Sequence, residues 1–255
     1  MRQEERLSLI LERLSDHGAV GVADLAAALG VSTASVRRDL QLLEEQHLLS
    51  RTHGGAVANS TAYELPLRYK GGRHRDEKQR IAAAAAARVD DSVATVGLTG
   101  GTTTTQVARA LARREGLTIV TNALNIASEL ALRTNLKLIV TGGTARSESY
   151  ELVGPLAEAT LDGLNVDIAF VGVDGLSVNG GLTTPHEVEA GTNRRLIARA
   201  SRVIVVTDSS KIGRRALARI CDLDQVDELI TDDAGGGDAL ELERIAAAGI
   251  AVTLV

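Results

Sequence analysis

Two short runs in this chain combine residue types and spacings suited to reading bases or holding phosphate. In residues 31–56, Arg37 and Arg38 stand side by side. At about 100° per residue they share a helix face with Ala34 and Gln41, opposite the apolar Val36, Leu40 and Leu43. A guanidinium fork suits a guanine edge or a phosphate equally, so the residue types fit both. The second run, Thr99-Gly100-Gly101-Thr102-Thr103-Thr104-Thr105, follows an apolar strand pattern and opens a helical one. Glycines admit close backbone approach, threonines bring hydroxyls, and a helix N-terminus presents unpaired N–H groups to negative charge. That is the chemistry of a phosphate cradle.

The elements that must position the arginines read as helix-turn-helix grammar. Residues 22–29 form a short amphipathic helix, Gly30 a tight turn, and Ser32 a cap for the next helix. The second helix then offers Ser32, Ala34, Ser35, Arg37, Arg38 and Gln41 to the major groove of duplex DNA. Residues 48–52 and 56–58 are expected as wing strands around His53, Gly54 and Gly55. Arg51 and His53 would reach the sugar-phosphate backbone or the minor groove.

Residues 59–72, with Pro66, Gly71 and Gly72, break periodicity and read as a linker. A helix over about 73–89 follows, and then apolar runs at 93–98, 117–121, 136–141, 166–172, 203–207, 228–231 and 250–255, alternating with helical patterns. The fold class is therefore α/β: a winged helix-turn-helix over 1–58, then a mostly parallel sheet covered on both faces over 73–255. Ligands of such sheets bind beyond the carboxyl ends of the strands. There the expected ligand residues are Gly100, Gly101, Thr102, Thr103, Thr104, Thr121, Asn122, Gly142, Gly143, Asp174 and Lys211. Lys211 would neutralise a phosphate, while Asn122 and Asp174 would meet sugar hydroxyls.

Composition narrows the partners. The net charge of −5 argues against indiscriminate nucleic-acid binding, and residues 1–57 carry six arginines against eight acids, so basicity is local. Few phosphate contacts per subunit imply two or more copies on repeated half-sites, a homodimer or homotetramer. An aromatic content of 2% counts against a stacking platform for single strands. A second basic cluster (Arg68, Lys70, Arg73, Arg75, Lys78, Arg80) reads as a solvated helix start. Cys221, the single cysteine, reads as a buried inert thiol. The five histidines lack metal-ligand spacing, the glycines lack the lysine of a Walker loop, and no cofactor is expected. Residues 232–238 read as a loop. With no apolar run of about eighteen residues and no signal-like start, a cytoplasmic location is expected.

The N-terminal run resembles the DeoR-type repressors of sugar metabolism, in the Arg37-Arg38-Asp39 triplet and in the R-x-H-G-G-A wing at 51–56. His47 departs, standing where that family usually has glycine; it is expected to stiffen the turn and leave the DNA face intact. The second half is similar to the same family at Gly101 to Thr103, Val120-Thr121-Asn122, Gly142-Gly143, Val153-Gly154, Gly181 to Thr184 and Asp208 to Lys211. That resemblance implies an effector domain folded like ribose-5-phosphate isomerase and glucosamine-6-phosphate deaminase, which binds a phosphorylated sugar or related metabolite and changes DNA affinity. Thr99 stands where aspartate is common there, and Asn193 where lysine commonly precedes Arg194. Two other readings stay open. A sugar-phosphate isomerase or deaminase with an appended DNA module needs a base, and Asp174 and Glu187 are the nominees, neither in a catalytic motif. An architectural DNA-binding protein would use its second domain only to oligomerise.

Overall fold

Leu7, Ile10, Leu11 and Leu14 recur at helical spacing, and α1 (Gln3–His17) buries them all. The computed structural model describes residue 1 and residues 3–58, 66–233 and 238–255, in two units, 1–73 and 74–255. In the first, β1 (Ala19–Gly21) leads to α2 (Val22–Leu29) and α3 (Thr33–Glu45). Gly30 closes α2 in the left-handed conformation, φ 63°, and the Ser32 hydroxyl accepts the Ser35 N–H to cap α3. Leu25 of α2 and Val36, Leu40 and Leu43 of α3 pack on the α1 leucines.

The wing is β2 (Ser50–Thr52) and β3 (Gly55–Val57), shorter than expected because Leu48 and Leu49 are core residues. An unexpected third strand completes it, since β1 pairs antiparallel with β3. A Cβ at position 55 would stand 1.9 Å from the Val20 carbonyl oxygen, so this pairing requires glycine. Of the segment read as linker, 59–65 lie outside the described residues. Residues 66–72 depart from the expectation: they carry the short α4 (Leu67–Lys70), whose Tyr69 joins the core and donates to Gln46 Oε1 at 2.6 Å.

The second unit opens with α5 (Arg75–Ala86), β4 (Thr95–Leu98), α6 (Thr102–Leu111), β5 (Thr118–Thr121), α7 (Leu124–Leu130) and β6 (Lys137–Val140). A hairpin of β7 (Thr144–Ala145) and β8 (Leu152–Val153) leads through α8 (Pro155–Asp162) to β9 (Val166–Val171). Then come β10 (Gly175–Ser177), β11 (Gly181–Thr184), α9 (Glu187–Ile197), β12 (Ala200–Val206), β13 (Ala218–Cys221), β14 (Glu228–Thr231), α10 (Ala239–Ala247) and β15 (Ala251–Leu254). The seven expected strands form one parallel sheet in the order β15-β14-β12-β9-β4-β5-β6. Ile168 and Phe170 of β9 face one core with α5, α6 and α7, while Ala169 and Val171 face the other with α9 and α10. An antiparallel sheet, β10-β11-β13, has no counterpart in the sequence reading.

Three further readings meet particular surroundings. Cys221 is buried, and burial first, then Asp222 and Asp224, push its thiol up to about 12. Lys78 is not solvated: it is buried with its Nζ 3.9 Å from Asp208 Oδ2. In 232–238, residues 234–237 lie outside the described residues, Asp232 is buried, and Asp238 caps α10.

His47 sits at φ 57°, in the region that favours glycine. This backbone, rather than stiffness, is what a glycine there would relieve. His47→Gly is expected to raise stability by roughly 0.5–1 kcal/mol, the left-handed cost less the added chain entropy. Urea denaturation of the full chain checks this, and a loss of stability would mean that the imidazole's contacts outweigh the strain.

Candidate DNA and ligand sites

On α3, the side opposite the core exposes Ala34, Arg37, Arg38 and Gln41. Arg37 and Arg38 have no ion-pair partner among the described residues, which leaves both forks available. Asp39, their neighbour in sequence, points the other way. It is 1% exposed, and Arg6 of α1 forks onto it, Nε to Oδ2 and Nη2 to Oδ1 at 2.9 Å. The triplet thus divides its work between two outward cations and an inward anion that ties α3 to α1. Gln41 donates to Glu45 Oε1 at 3.0 Å, the Ser32 and Ser35 hydroxyls lie 3.0 Å apart, and the Arg51 N–H donates to Glu44 Oε1 at 2.9 Å. Arg51 and His53 are exposed on the wing.

In the second unit, strand order reverses between β4 and β9, so the connections leave them in opposite directions, the arrangement at which such sheets place a ligand crevice. The two turns are tied together. The buried Thr99 N–H donates to the Phe170 carbonyl at 3.3 Å, and the Gly172 N–H donates to Thr99 Oγ1 at 3.0 Å. Thr99 therefore serves as a neutral crosslink. Gly101, with φ 129°, turns the chain into α6, whose first N–H groups lack intrahelical partners. Thr104 and Thr105 spend their hydroxyls on the Gly101 carbonyl at 3.0 and 2.6 Å, so the cradle rests on backbone N–H groups with Thr102 and Thr103 beside them.

After β12, a single 3-10 turn over Ser209–Lys211 brings Lys211 Nζ to 3.6 Å from Asp174 Oδ1. Ser209 is fixed by Asp232, through its N–H at 2.7 Å and its hydroxyl at 2.8 Å. Burial raises the Asp208 carboxyl, but the Ser210 hydroxyl, Lys78, Lys211 and His74 outweigh it and hold the pKa below the ordinary range. Gly100, Gly101, Asp174 and Lys211 thus lie on loops beyond β4, β9 and β12.

Other expected ligand residues have structural duties. The Thr121 hydroxyl is committed inside the sheet, donating to the Leu98 carbonyl at 2.8 Å and accepting the Ala123 N–H at 3.1 Å. Gly142 is exposed beyond the edge strand β6. A Cβ at Gly143 would stand 2.8 Å from the Val153 carbonyl oxygen, so that glycine seats the β7–β8 hairpin. Glu187, the second nominee for a base, has a side chain 73% exposed and no place in the crevice.

Sequence reasoning missed a buried polar group that this hairpin delivers. Glu151 is 2% exposed and accepts the Gly100 N–H, and the Asn193 side chain also bonds to it. Asn122 Nδ2 donates to Asn193 Oδ1 at 3.3 Å. Glu189 accepts from Thr184 Oγ1 and Arg146 Nη1, both at 2.7 Å. Burial, then repulsion from Glu189, pushes the Glu151 carboxyl well above the usual range. Glu189 and Asn193 stand four positions apart, which puts them on one face of α9; of these residues Glu151 and Glu189 offered no other sequence signal.

Residues 6–62 match the DeoR-like helix-turn-helix domain, and residues 73–233 the DeoR C terminal sensor domain. The chain belongs to the DeoR family. It is similar to the HTH-type transcriptional regulator GlpR of Haloferax volcanii, 38% identical over 99% of this chain and 98% of that one. The glycerol-3-phosphate regulon repressor of Escherichia coli strain K12 is 34% identical, over 91% and 92% of the two chains. Among solved structures, ribose 5-phosphate isomerase A of Methanocaldococcus jannaschii matches 55% of each chain at 22% identity, with a TM-score of 0.39. Membership of the DeoR family makes this chain a DNA-binding transcriptional regulator with a sensor domain, and it sets aside the isomerase or deaminase reading. Among the described residues no helix is long and apolar enough to cross a membrane.

Two outcomes follow from these contacts. Asp39→Ala strands the Arg6 guanidinium and is expected to cost about 2–3 kcal/mol in urea denaturation, while Arg38→Ala changes stability by less than about 0.5 kcal/mol. Equal losses would mean that Asp39 carries no special share of the DeoR-type helical core. The Glu151 pKa is higher folded than unfolded, so its contribution is fully present near about pH 4 and is lost as pH rises through the folded value. Glu151→Gln is therefore expected to match wild type in thermal melts near about pH 4 and to exceed it at about pH 8. Parallel pH profiles would show a carboxyl that is not held neutral.

Proposed function

We propose that this DeoR-family regulator represses carbohydrate-metabolism genes, and that a phosphorylated sugar or related metabolite in the β4–β9 crevice sets its grip on operator DNA. The observation that carries the reading is that the Gly100–Gly101 turn and the α6 N-terminus lie beyond the carboxyl end of β4, on the same edge of the sheet as the Lys211–Asp174 pair on the loops beyond β12 and β9. Backbone N–H groups and an ammonium suit a phosphate dianion, while Asp174 and Asn122 suit hydroxyls. The Escherichia coli relative is named for glycerol 3-phosphate, which supports a phosphate ester as the ligand class.

On the DNA side, Arg37, Arg38 and Gln41, with Ala34 and the Ser32 and Ser35 end of α3, enter the major groove, and Arg51 and His53 of the wing hold the backbone. So few cations per chain require a homodimer or homotetramer on repeated half-sites. The ligand changes the pose of the recognition helices, and by linkage DNA and ligand alter each other's affinity by one common factor.

Thermal melts against sugars, each with and without its phosphate, test the sensor. A ligand at a hundred times its Kd adds about 2.7 kcal/mol. Only phosphorylated compounds are expected to stabilise the wild type, and Lys211→Ala is expected to lose the shift. In operator titrations Arg38→Ala is expected to abolish specific binding; retained binding would move the interface off α3. A protein that binds its operator but responds to no phosphate ester would instead have a second domain that only oligomerises.

A further inference from the structure

Two buried side-chain oxygens beside the crevice, Glu151 Oε2 and Asn122 Oδ1, have no hydrogen-bond partner among the described residues. Their residues are 2% and 3% exposed. Asn193 bridges them, accepting from Asn122 Nδ2 at 3.3 Å and bonding to Glu151, whose Oε1 rests against Gly100. A Cβ on Gly100 would stand 2.1 Å from that oxygen, so Glu151 adjoins the same turn that opens the cradle, and Asn122 is joined to it through Asn193. The backbone that carries both residues is held in place. The Leu124 N–H donates to the Tyr150 carbonyl at 2.8 Å and the Leu152 N–H to the Asn122 carbonyl at 2.7 Å, while the Arg146 N–H holds the Glu151 carbonyl at 2.8 Å.

Unmet polar atoms in a pinned, buried setting are uncommon and call for a partner. With its amide N–H already given to Asn193, Asn122 offers only an acceptor at Oδ1. Burial, then Glu189, pushes the Glu151 carboxyl toward its neutral form, in which Oε2, the oxygen turned away from Gly100, can offer an O–H donor. Of the groups that a sugar or polyol phosphate carries, the one that donates to the first and accepts from the second is a hydroxyl. An anion lacks the donor, and an ammonium lacks the acceptor.

We infer that Glu151 and Asn122, bridged by Asn193, read a hydroxyl on the carbon skeleton of the phosphate ester and thereby set which ester the sensor accepts. This inference rests on the phosphate-ester reading proposed above. Glu151 is the new element: a specificity residue contributed by the hairpin rather than by the strand-end loops.

Calorimetric titration of the full chain with inorganic phosphate, glycerol 3-phosphate, ribose 5-phosphate, glucose 6-phosphate and fructose 6-phosphate tests it. The readout is the ratio of ester affinity to inorganic phosphate affinity, which a purely structural role would leave unmoved. In the wild type at least one ester is expected to bind more tightly than phosphate. Glu151→Ala and Asn122→Ala are expected to lower that ratio about tenfold or more. Glu151→Gln, which offers an acceptor and a donor where the neutral acid does, is expected to hold the ratio within about threefold. A ratio unchanged in both alanine variants overturns the inference, as does a Gln variant as damaged as the Ala one. Should Glu151→Ala fail to fold, Asn122→Ala, from a different loop, carries the same test. A wild type that binds inorganic phosphate but prefers no ester refutes the hydroxyl reading and leaves the anion cradle standing. One that binds neither refutes the sensor reading itself.

Discussion

Two parallel strands, β4 and β9, lie side by side while the chain leaves them toward opposite faces of the sheet. The helix after β4 packs with α5 and α7, whereas the antiparallel strands and α9 after β9 pack on the other side. No single connection can cover the gap between diverging loops, so a crevice is a consequence of topology before any side chain is chosen. Thr99 keeps it from spreading by tying both turns across the gap. Lysine, aspartate and glycine on the loops beyond β4, β9 and β12 inherit their proximity from this arrangement.

The first unit solves a different problem, which is to hold a short helix rigid while leaving its polar face unoccupied. Leucine and valine contacts between α1 and α3 carry less direction than a hydrogen bond does. The Arg6–Asp39 fork supplies that direction, since two parallel hydrogen bonds fix orientation as well as distance. The anion for this clamp comes from the same turn of helix as the two outward arginines. Its burial also keeps it from neutralising them. A recognition surface that is basic only locally, in a chain of net charge −5, depends on that separation.

How much was legible follows from which forces write themselves into local sequence. All seven strands of the parallel sheet were readable: in the inner ones burial on both faces demands apolar runs such as those ending at Leu98 and Val206, while the edge strands β6 and β15 are only partly buried. The helix-turn-helix was equally plain in Gly30, Ser32 and the spacing of Val36, Leu40 and Leu43. The three residues of β1 carry no period, and their place in the wing is decided by the close approach of Gly55 to Val20. Lys78 looked like one more solvated cation because its partner Asp208 lies 130 positions away. Glu151 stood in an unremarkable polar stretch, and only the β7–β8 hairpin carries it to Gly100. Thr121 and Gly143 show the opposite: their residue types suit a ligand, and the sheet and the hairpin also use them.

Lys211 and Lys78 are already engaged, and this bears on how a sensor of this kind can switch. Lys211 faces Asp174, and Lys78 faces Asp208. Under the proposed reading, an arriving phosphate competes with Asp174 for the Lys211 ammonium, so part of the gross attraction is offset by the pair it disrupts. A ligand shifts a two-state equilibrium only by its differential affinity for the two states. A pre-paired lysine lowers affinity for the resting state and leaves room for such a difference to exist. A carboxylate at Glu151 would add repulsion against an incoming anion, whereas its neutral form adds none and keeps a donor in reserve. Under that reading the acidic side chains around the cradle are compatible with anion binding because each is answered separately: Asp174 by Lys211, Glu189 by Arg146, and Glu151 by the burial that favours its neutral form.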